Sequence, residues 1–100
     1  MKVLAVGRAR EGIDPRVAIP PHALAELSAL WSLYAAGTVR EMYSPGGPGA
    51  VLVLETESVS AAQDALAQLP LVANGIIDFE PIELKPFAAF AALFDSHRDP

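Results

Sequence analysis

Three patterns of apolar residues occur along the chain: continuous runs, alternation with polar residues, and helical spacing. The order of these patterns predicts the fold. Residues 2–7 and 50–55 are almost continuously apolar, as strands buried on both faces are. Residues 38–44 and 75–84 alternate polar and apolar positions, with the period of two that is typical of a half-buried strand. Between these strands, apolar residues recur at helical spacing over residues 21–36 and 59–69.

The predicted segments come in the order strand, helix, strand, strand, helix, strand. With right-handed crossovers this order predicts an α+β fold, the ferredoxin-like βαββαβ arrangement with an antiparallel four-stranded sheet. The first and third strands are central in that topology, which fits their continuous apolar character. The second and fourth strands lie at the edges. Pro81 in the fourth strand fits an edge, because proline has no N–H for the ladder of a central strand.

The ends of both helices have recognisable signals. Pro21 suits the first turn of the first helix, and Gly37 suits its C-terminal stop. Ser58 is a natural N-cap for the second helix, and Pro70 is expected to end it. The apolar stripe expected on the first helix consists of Leu24, Leu27, Leu30, Trp31 and Tyr34.

Residues 86–94, PFAAFAALF, predict an additional short C-terminal helix that is apolar all round. Phe87, Phe90 and Phe94 recur in it at helical spacing, and a helix without a polar face is normally buried. The protein's own sheet can cover only one side of such a helix, so a second subunit is expected to cover the other. We therefore expect one domain over residues 1–94, followed by a flexible tail at 95–100.

Composition narrows the classes of function. Of the 100 residues 52% are apolar, a high share for a small domain, which again indicates a subunit interface and a homodimer or larger homo-oligomer. The net charge of −5 leaves no basic face for nucleic acid. The chain has no cysteine and only two separated histidines, so neither disulfides nor a metal site is expected. No apolar run reaches membrane-spanning length, and a cytoplasmic location is the default expectation.

Two carboxylates stand out on the predicted fourth strand. Asp78 and Glu80 share one face of it, about 7 Å apart at roughly 3.4 Å per residue. If that face lines a cavity, one of them would have a raised pKa and act as a catalytic base. The alternative is that both face water.

The second strand and the first helix supply further candidates. Arg40 suits a substrate carboxylate, or else a salt bridge between subunits. On the opposite strand face, Glu41 is a candidate for proton transfer and Tyr43 for donation to an oxyanion, unless its hydroxyl is satisfied locally. His22 is a candidate proton shuttle or a surface residue, and it can pair with Glu26, itself otherwise on a solvated face. Trp31 is expected in the core or in a substrate-binding wall.

Residues 37–84 resemble the muconolactone isomerase family. The resemblance is carried by Gly37-Thr38-x-Arg40, by the helix entry from Glu55 to Ser58, and above all by Leu69-Pro70-Leu71 before the last strand. Asp14-Pro15 in the first loop also fits the pattern of the family. The residues after Arg40 and the Gly/Pro-rich segment at 44–50 depart from that pattern.

The resemblance implies a dimeric α+β barrel and a small cofactor-independent enzyme that isomerises an unsaturated lactone or carboxylated substrate by proton transfer. In this hypothesis Arg40 binds the substrate, and Glu41, Asp78 or His22 moves the proton within an enclosed pocket. A second hypothesis is a cofactor-free monooxygenase or cyclase on a polyketide-like substrate, with Trp31 or Tyr43 in the wall of a larger cavity. A third is a non-catalytic oligomeric ligand-binding protein whose acidic pairs face solvent.

Overall fold

The computed structural model describes residues 1–94, which form one four-stranded antiparallel sheet with helices on one face. The strand order is β2-β3-β1-β4, so β1 and β3 are central and Pro81 lies in an edge strand, as predicted. The predicted α+β, ferredoxin-like class is confirmed. The strands are β1 (Lys2–Ala9), β2 (Val39–Tyr43), β3 (Gly49–Glu55) and β4 (Ile77–Leu84).

Helical segments connect the strands. Two of them precede the longest helix. The first, α1 (Pro15–Ala18), lies in the predicted first loop, and the second, a 3-10 turn (Pro20–His22), overlaps the predicted start of the first helix at Pro21. They form because the Asp14 side chain accepts a hydrogen bond from the backbone N–H of Arg16 at 3.0 Å, with Pro15 in the first helical turn. The remaining helices are α2 (Ala23–Ala35), α3 (Val59–Ala67), α4 (Pro70–Ala73) and a C-terminal 3-10 helix (Ala88–Leu93).

The main core lies between the helices and the inner face of the sheet. Ser58 caps α3 as predicted, since its hydroxyl accepts from the N–H of Ala61 at 3.0 Å. Each fully buried valine or leucine of the core stabilises the fold by roughly 1.5–3 kcal/mol. The fully buried side chains are Val3, Ala5, Val39, Leu52, Leu54 and Ala62.

The helix α2 presents a different face to this core than the sequence pattern indicated. Of the expected stripe only Leu30 packs against the core, together with Ala29 and Leu33. Leu24 is 84% exposed and Trp31 is 65% exposed, so the expectation that Trp31 is a core residue was wrong within one chain.

The C-terminal segment also differs from the expectation of a buried helix. It forms a short 3-10 helix, and its large apolar side chains are all exposed, with Phe94 at 81%. No part of it is covered by the chain's own sheet. Residues 95–100, for which a flexible tail was predicted, lie outside the described residues.

The outer face of the sheet is not covered by any helix of residues 1–94. The strand registers place side chains from all four strands on this face, with half-buried valines at its centre. Charged and polar side chains such as Arg8, Glu41 and Glu80 stand toward its edges. Its apolar residues are Leu4, Val6, Val51, Val53 and Ile82.

One close approach between strands depends on glycine. Gly7 pairs with Phe79 across β1 and β4, and the Phe79 ring lies directly over it. A Cβ placed at position 7 would stand only 2.5 Å from that ring. The absence of a side chain therefore fixes where the Phe79 ring sits.

We predict that Val3→Ala lowers the free energy of unfolding by about 2 kcal/mol. The change removes two buried methyl groups at roughly 0.8 kcal/mol each and leaves a partly unfilled cavity. Val17→Ala on exposed α1 is the matched control and should change stability by no more than about 0.5 kcal/mol. Urea denaturation at one fixed protein concentration measures both, and equal losses would contradict this assignment of the core.

Candidate functional site

Glu26 is the only charged side chain that is buried among residues 1–94, with 8% of its surface exposed. Its position explains this burial. It lies on α2 three, four and seven residues before Ala29, Leu30 and Leu33, which form the inward face of the helix. The carboxyl group therefore points into the space between α2 and the sheet.

The carboxyl of Glu26 has one hydrogen-bond partner from a distant part of the chain. The backbone N–H of Leu71, in the first turn of α4, donates to Glu26 Oε1 at 2.9 Å. The first amides of a helix have no partner inside it, and the N-cap residue Leu69 offers no side-chain acceptor. Glu26 thus supplies the missing cap for α4 and fastens this helix to α2.

Burial raises the pKa of Glu26 above its ordinary value, because removal from water disfavours the charged carboxylate. The Leu71 N–H and the nearby His22 oppose this rise, since both favour the charged form. His22 is half-buried at the end of the 3-10 turn, four residues before Glu26. His22 thus lies near enough to act on the charge of Glu26, but no hydrogen bond or salt bridge joins the two among residues 1–94. The predicted pair does not form, and the alternative of a solvated face for Glu26 was also wrong.

A cavity of about 300 Å³ opens beside Glu26, between α2, α4, β4 and the segment before β3. Glu26 has the only polar side chain among the residues that line it. Any other polar group in the wall is backbone, most of it in the Gly/Pro-rich turn. The lining consists of Ile19, Glu26, Leu27, Leu30, residues 47–50, Leu71, Ile77 and Phe79.

Asp78 lies elsewhere, on the outer face of the sheet. The Arg10 guanidinium donates two hydrogen bonds to its carboxylate. Nε donates to Oδ2 at 3.1 Å, and Nη2 donates to Oδ1 at 2.7 Å. The hydrogen bond from Arg10 holds the pKa of Asp78 below its usual range. The raised pKa that a base at this strand requires is therefore not found at Asp78. Glu80 and Asp78 both line a second, open cavity, together with Arg8 and Arg10.

The residues predicted on the second strand are also exposed in the single chain. The Tyr43 hydroxyl donates to Glu41 Oε1 at 2.6 Å, and this hydrogen bond raises the pKa of Tyr43. Arg40 occupies a bulge in β2 and donates from Nε to the carbonyl of Gly37 at 2.6 Å. Trp31 stacks at a tilt on Tyr34, with ring centroids 5.7 Å apart, on the outer side of α2. None of these side chains lines the cavity beside Glu26.

The predicted site residues therefore occupy three separate places in the chain: the outer sheet face, the outer side of α2, and the surroundings of Glu26. Only His22 stands next to the buried carboxyl. Three His, Asp or Glu side chains do not come together as a metal site anywhere in residues 1–94. None of the helices in that range has the length and apolar character needed to span a membrane.

Comparison with solved structures identifies the fold. The chain superposes on 5-chloro-2-hydroxyhydroquinone dehydrochlorinase from Burkholderia phenoliruptrix AC1100, determined in complex with 2,5-dihydroxybenzoquinone. The TM-score is 0.64 at 21% identity, over 85% of this chain and 94% of that one. It also superposes on muconolactone isomerase with a TM-score of 0.61 at 24% identity, over 99% of this chain and 98% of the other.

The fold is thus that of muconolactone isomerase-like proteins, which confirms the resemblance carried by the sequence motifs. No protein-family model matches the chain. No curated protein matches its sequence significantly.

We predict that Glu26→Gln changes how stability depends on pH. The raised pKa means that the folded state holds this proton more tightly than the unfolded chain, where Glu26 titrates near 4.5. Its contribution to stability is therefore complete below pH 4.5 and is lost as the pH rises through the folded pKa. The difference in unfolding free energy between wild type and Glu26→Gln should fall as the pH is raised above 4.5, over the range in which the wild type stays folded.

Denaturant titrations at several pH values measure this difference. Glu57→Gln, at an exposed carboxyl on the loop before α3, is the matched control. A difference for Glu26→Gln that stays constant over this range, or that follows the Glu57→Gln control, would contradict a raised pKa at Glu26.

Proposed function

We propose that this protein is a small cofactor-independent enzyme that isomerises an unsaturated lactone, or a related carbonyl compound, by proton transfer. The observation that carries the proposal is the buried carboxyl of Glu26 at the wall of an apolar cavity. A carboxyl whose pKa is raised by burial in an apolar wall is suited both to take a proton and to return it. We place this activity in the cytoplasm, without a metal.

In the proposed reaction Glu26 acts first as base and then as acid. Its carboxylate removes a proton from a substrate carbon that is adjacent to the C=C double bond. The electrons of the C–H bond pass into a dienolate. The protonated Glu26 then returns the proton to a different carbon of that dienolate, which moves the double bond. One C–H bond breaks and one forms, so no oxidant or reductant is needed.

The cavity also limits the substrate. Its volume of about 300 Å³ suits a single small ring with short substituents. No cationic side chain lines it, so a carboxylate on the substrate would have to remain at the mouth of the cavity. Arg40, the residue expected to bind such a group, lies outside it. We therefore propose that the reacting part of the substrate is uncharged.

The two proteins of this fold support a ring-shaped substrate, since one is named as an isomerase of muconolactone and the other carries a benzoquinone. A polyketide oxygenase is less well supported, because neither Trp31 nor Tyr43 stands in the wall of the cavity. A non-catalytic ligand-binding role remains the second candidate. It is favoured by the exposure of Asp78 and Glu80.

We further propose that the outer face of the sheet pairs with that of a second copy, giving the dimeric barrel implied by the sequence resemblance. The half-buried Val51 and Val53 at the centre of this face are not covered by any other part of residues 1–94. Val53→Asp would bury a charge at such an interface and should convert the dimer to monomer. Sedimentation velocity measures this, with Val17→Asp as control. A wild-type protein that sediments as a monomer would contradict the pairing.

We predict that Glu26→Gln reduces isomerisation by a factor of about 10² to 10⁴, the usual contribution of a general base. An ultraviolet assay should compare muconolactone with a β,γ-unsaturated butenolide that lacks the acid group. Isomerisation moves the double bond of each lactone into or out of conjugation with the ring carbonyl, so the ultraviolet absorbance of both changes on turnover. Glu57→Gln is the matched control and should keep wild-type activity, because its side chain lies on the surface away from the cavity.

The same assay distinguishes the alternatives. A collapse of activity in Asp78→Asn or Glu41→Gln, with Glu26→Gln active, would place the chemistry on the outer sheet face. Binding of the butenolide without turnover at high protein concentration would favour the ligand-binding role. Turnover of the acid but not of the neutral lactone would contradict the proposed substrate class.

A further inference from the structure

The outer side of α2 is unusual for a helix at the surface of a single chain. The only charged residue between Ala23 and Ala35 is Glu26, and that residue is buried. All exposed side chains of α2 are therefore uncharged. A solvated helix face normally carries charged residues. The uncharged outer face of α2 is therefore typical of a surface that contacts another molecule.

Four large apolar side chains lie along this face, here called the outer stripe: Leu24, Leu27, Trp31 and Tyr34. All four are exposed. Their spacing of three, four and three residues is that of the contact seam between two paired helices. The stripe is therefore continuous, and it extends over ten residues, or about 15 Å at 1.5 Å per residue.

A second uncovered apolar element exists in the same chain. Residues 86–94, here called the C-terminal arm, contain no charged residue. Phe87, Phe90, Leu93 and Phe94 are all exposed, and the first two rings meet edge to face at 5.1 Å. From Phe87 to Phe94 a 3-10 helix rises by about 14 Å, at roughly 2 Å per residue. The arm and the outer stripe match in both length and chemistry.

The arm points away from the body of its own chain. The radius of gyration is 17.3 Å, where a compact chain of 100 residues has about 13 Å, and the longest dimension is 63 Å. The arm follows β4 after only Lys85, so little chain separates it from the end of the sheet. An arm held in this way is placed to meet a neighbouring molecule.

We propose that the C-terminal arm of one copy docks on the outer stripe of a second copy. Five aromatic and three leucine side chains would meet in each contact. A fully buried aromatic side chain removes about 150–250 Å² of surface from water. Because the side chains in this contact are only partly buried, one contact is expected to bury about 600–800 Å² of accessible surface in total. Two reciprocal contacts reach about 1,200–1,600 Å², the size of a stable protein interface. This interface is separate from the outer sheet face. Leu27 of the outer stripe also lines the cavity beside Glu26, whereas Leu24, Trp31 and Tyr34 do not.

Cysteine cross-linking tests the proposal directly, because the natural chain has no cysteine. Leu27→Cys and Phe90→Cys are made in two separate chains with tags of different size, mixed after unfolding and refolding together, and oxidised. A disulfide-linked heterodimer of the two variants is the expected product. The control pairs Val17→Cys, at an exposed apolar position on α1, with Phe90→Cys and should give at least tenfold less heterodimer.

Other cross-linking products would overturn the proposal. Homodimers of Leu27→Cys without heterodimer would mean that two outer stripes pair with each other. Homodimers of Phe90→Cys alone would mean that the arms pair. An internal disulfide in the Leu27→Cys/Phe90→Cys double variant would mean that the arm folds back on its own helix.

The fluorescence of Trp31, the only tryptophan, provides a second measurement. Docking of the arm shields this indole from water, so Phe90→Asp should shift its emission to longer wavelength and reduce the sedimentation coefficient. Val17→Asp should do neither. An unchanged emission spectrum in Phe90→Asp, with the circular dichroism of the wild type, would show that the arm does not cover the stripe.

Discussion

The hydrogen bond between the Glu26 carboxyl and the backbone N–H of Leu71 joins parts of the chain that are 45 residues apart. It holds α2 at a fixed rotation and caps α4, and both helices form walls of the cavity. A buried carboxyl is costly unless it is hydrogen-bonded, so this contact decides which face of α2 turns inward. The position of the cavity, and the exposure of the outer stripe, both follow from that rotation.

The strand order and the edge position of Pro81 were predictable from the sequence, because continuous and alternating apolar runs differ in how they are buried. The rotation of α2 was not. Its largest apolar residues suggested Leu24, Trp31 and Tyr34 as the buried side, although the chain uses Ala29, Leu30 and Leu33. Apolar residues on both sides of a helix leave periodicity ambiguous, and a contact outside the helix makes the choice. Likewise, Pro70 starts a new helical turn instead of only ending the previous helix.

The candidate site was harder to predict for a related reason. Alternation along a strand assigns each carboxylate to one face, which made Asp78 a candidate base. In the structure, however, Asp78 is paired with Arg10 on the outer sheet face. Glu26 looked like one end of a surface pair with His22. One signal was available: Glu26 stands three, four and seven residues before small and apolar residues of one face. A lone carboxyl within such a stripe indicates a buried acid, although only the fold reveals that Leu71 is its partner.

The close packing of the Phe79 ring over Gly7 has a consequence for the evolution of this site. Phe79 also lines the cavity beside Glu26. Gly7 therefore influences the shape of the cavity, although it does not line it. Substitution at position 7 would push the ring and reshape the space without altering the acid. The size of this cavity and the surroundings of the Glu26 carboxyl can therefore change independently among descendants of this chain.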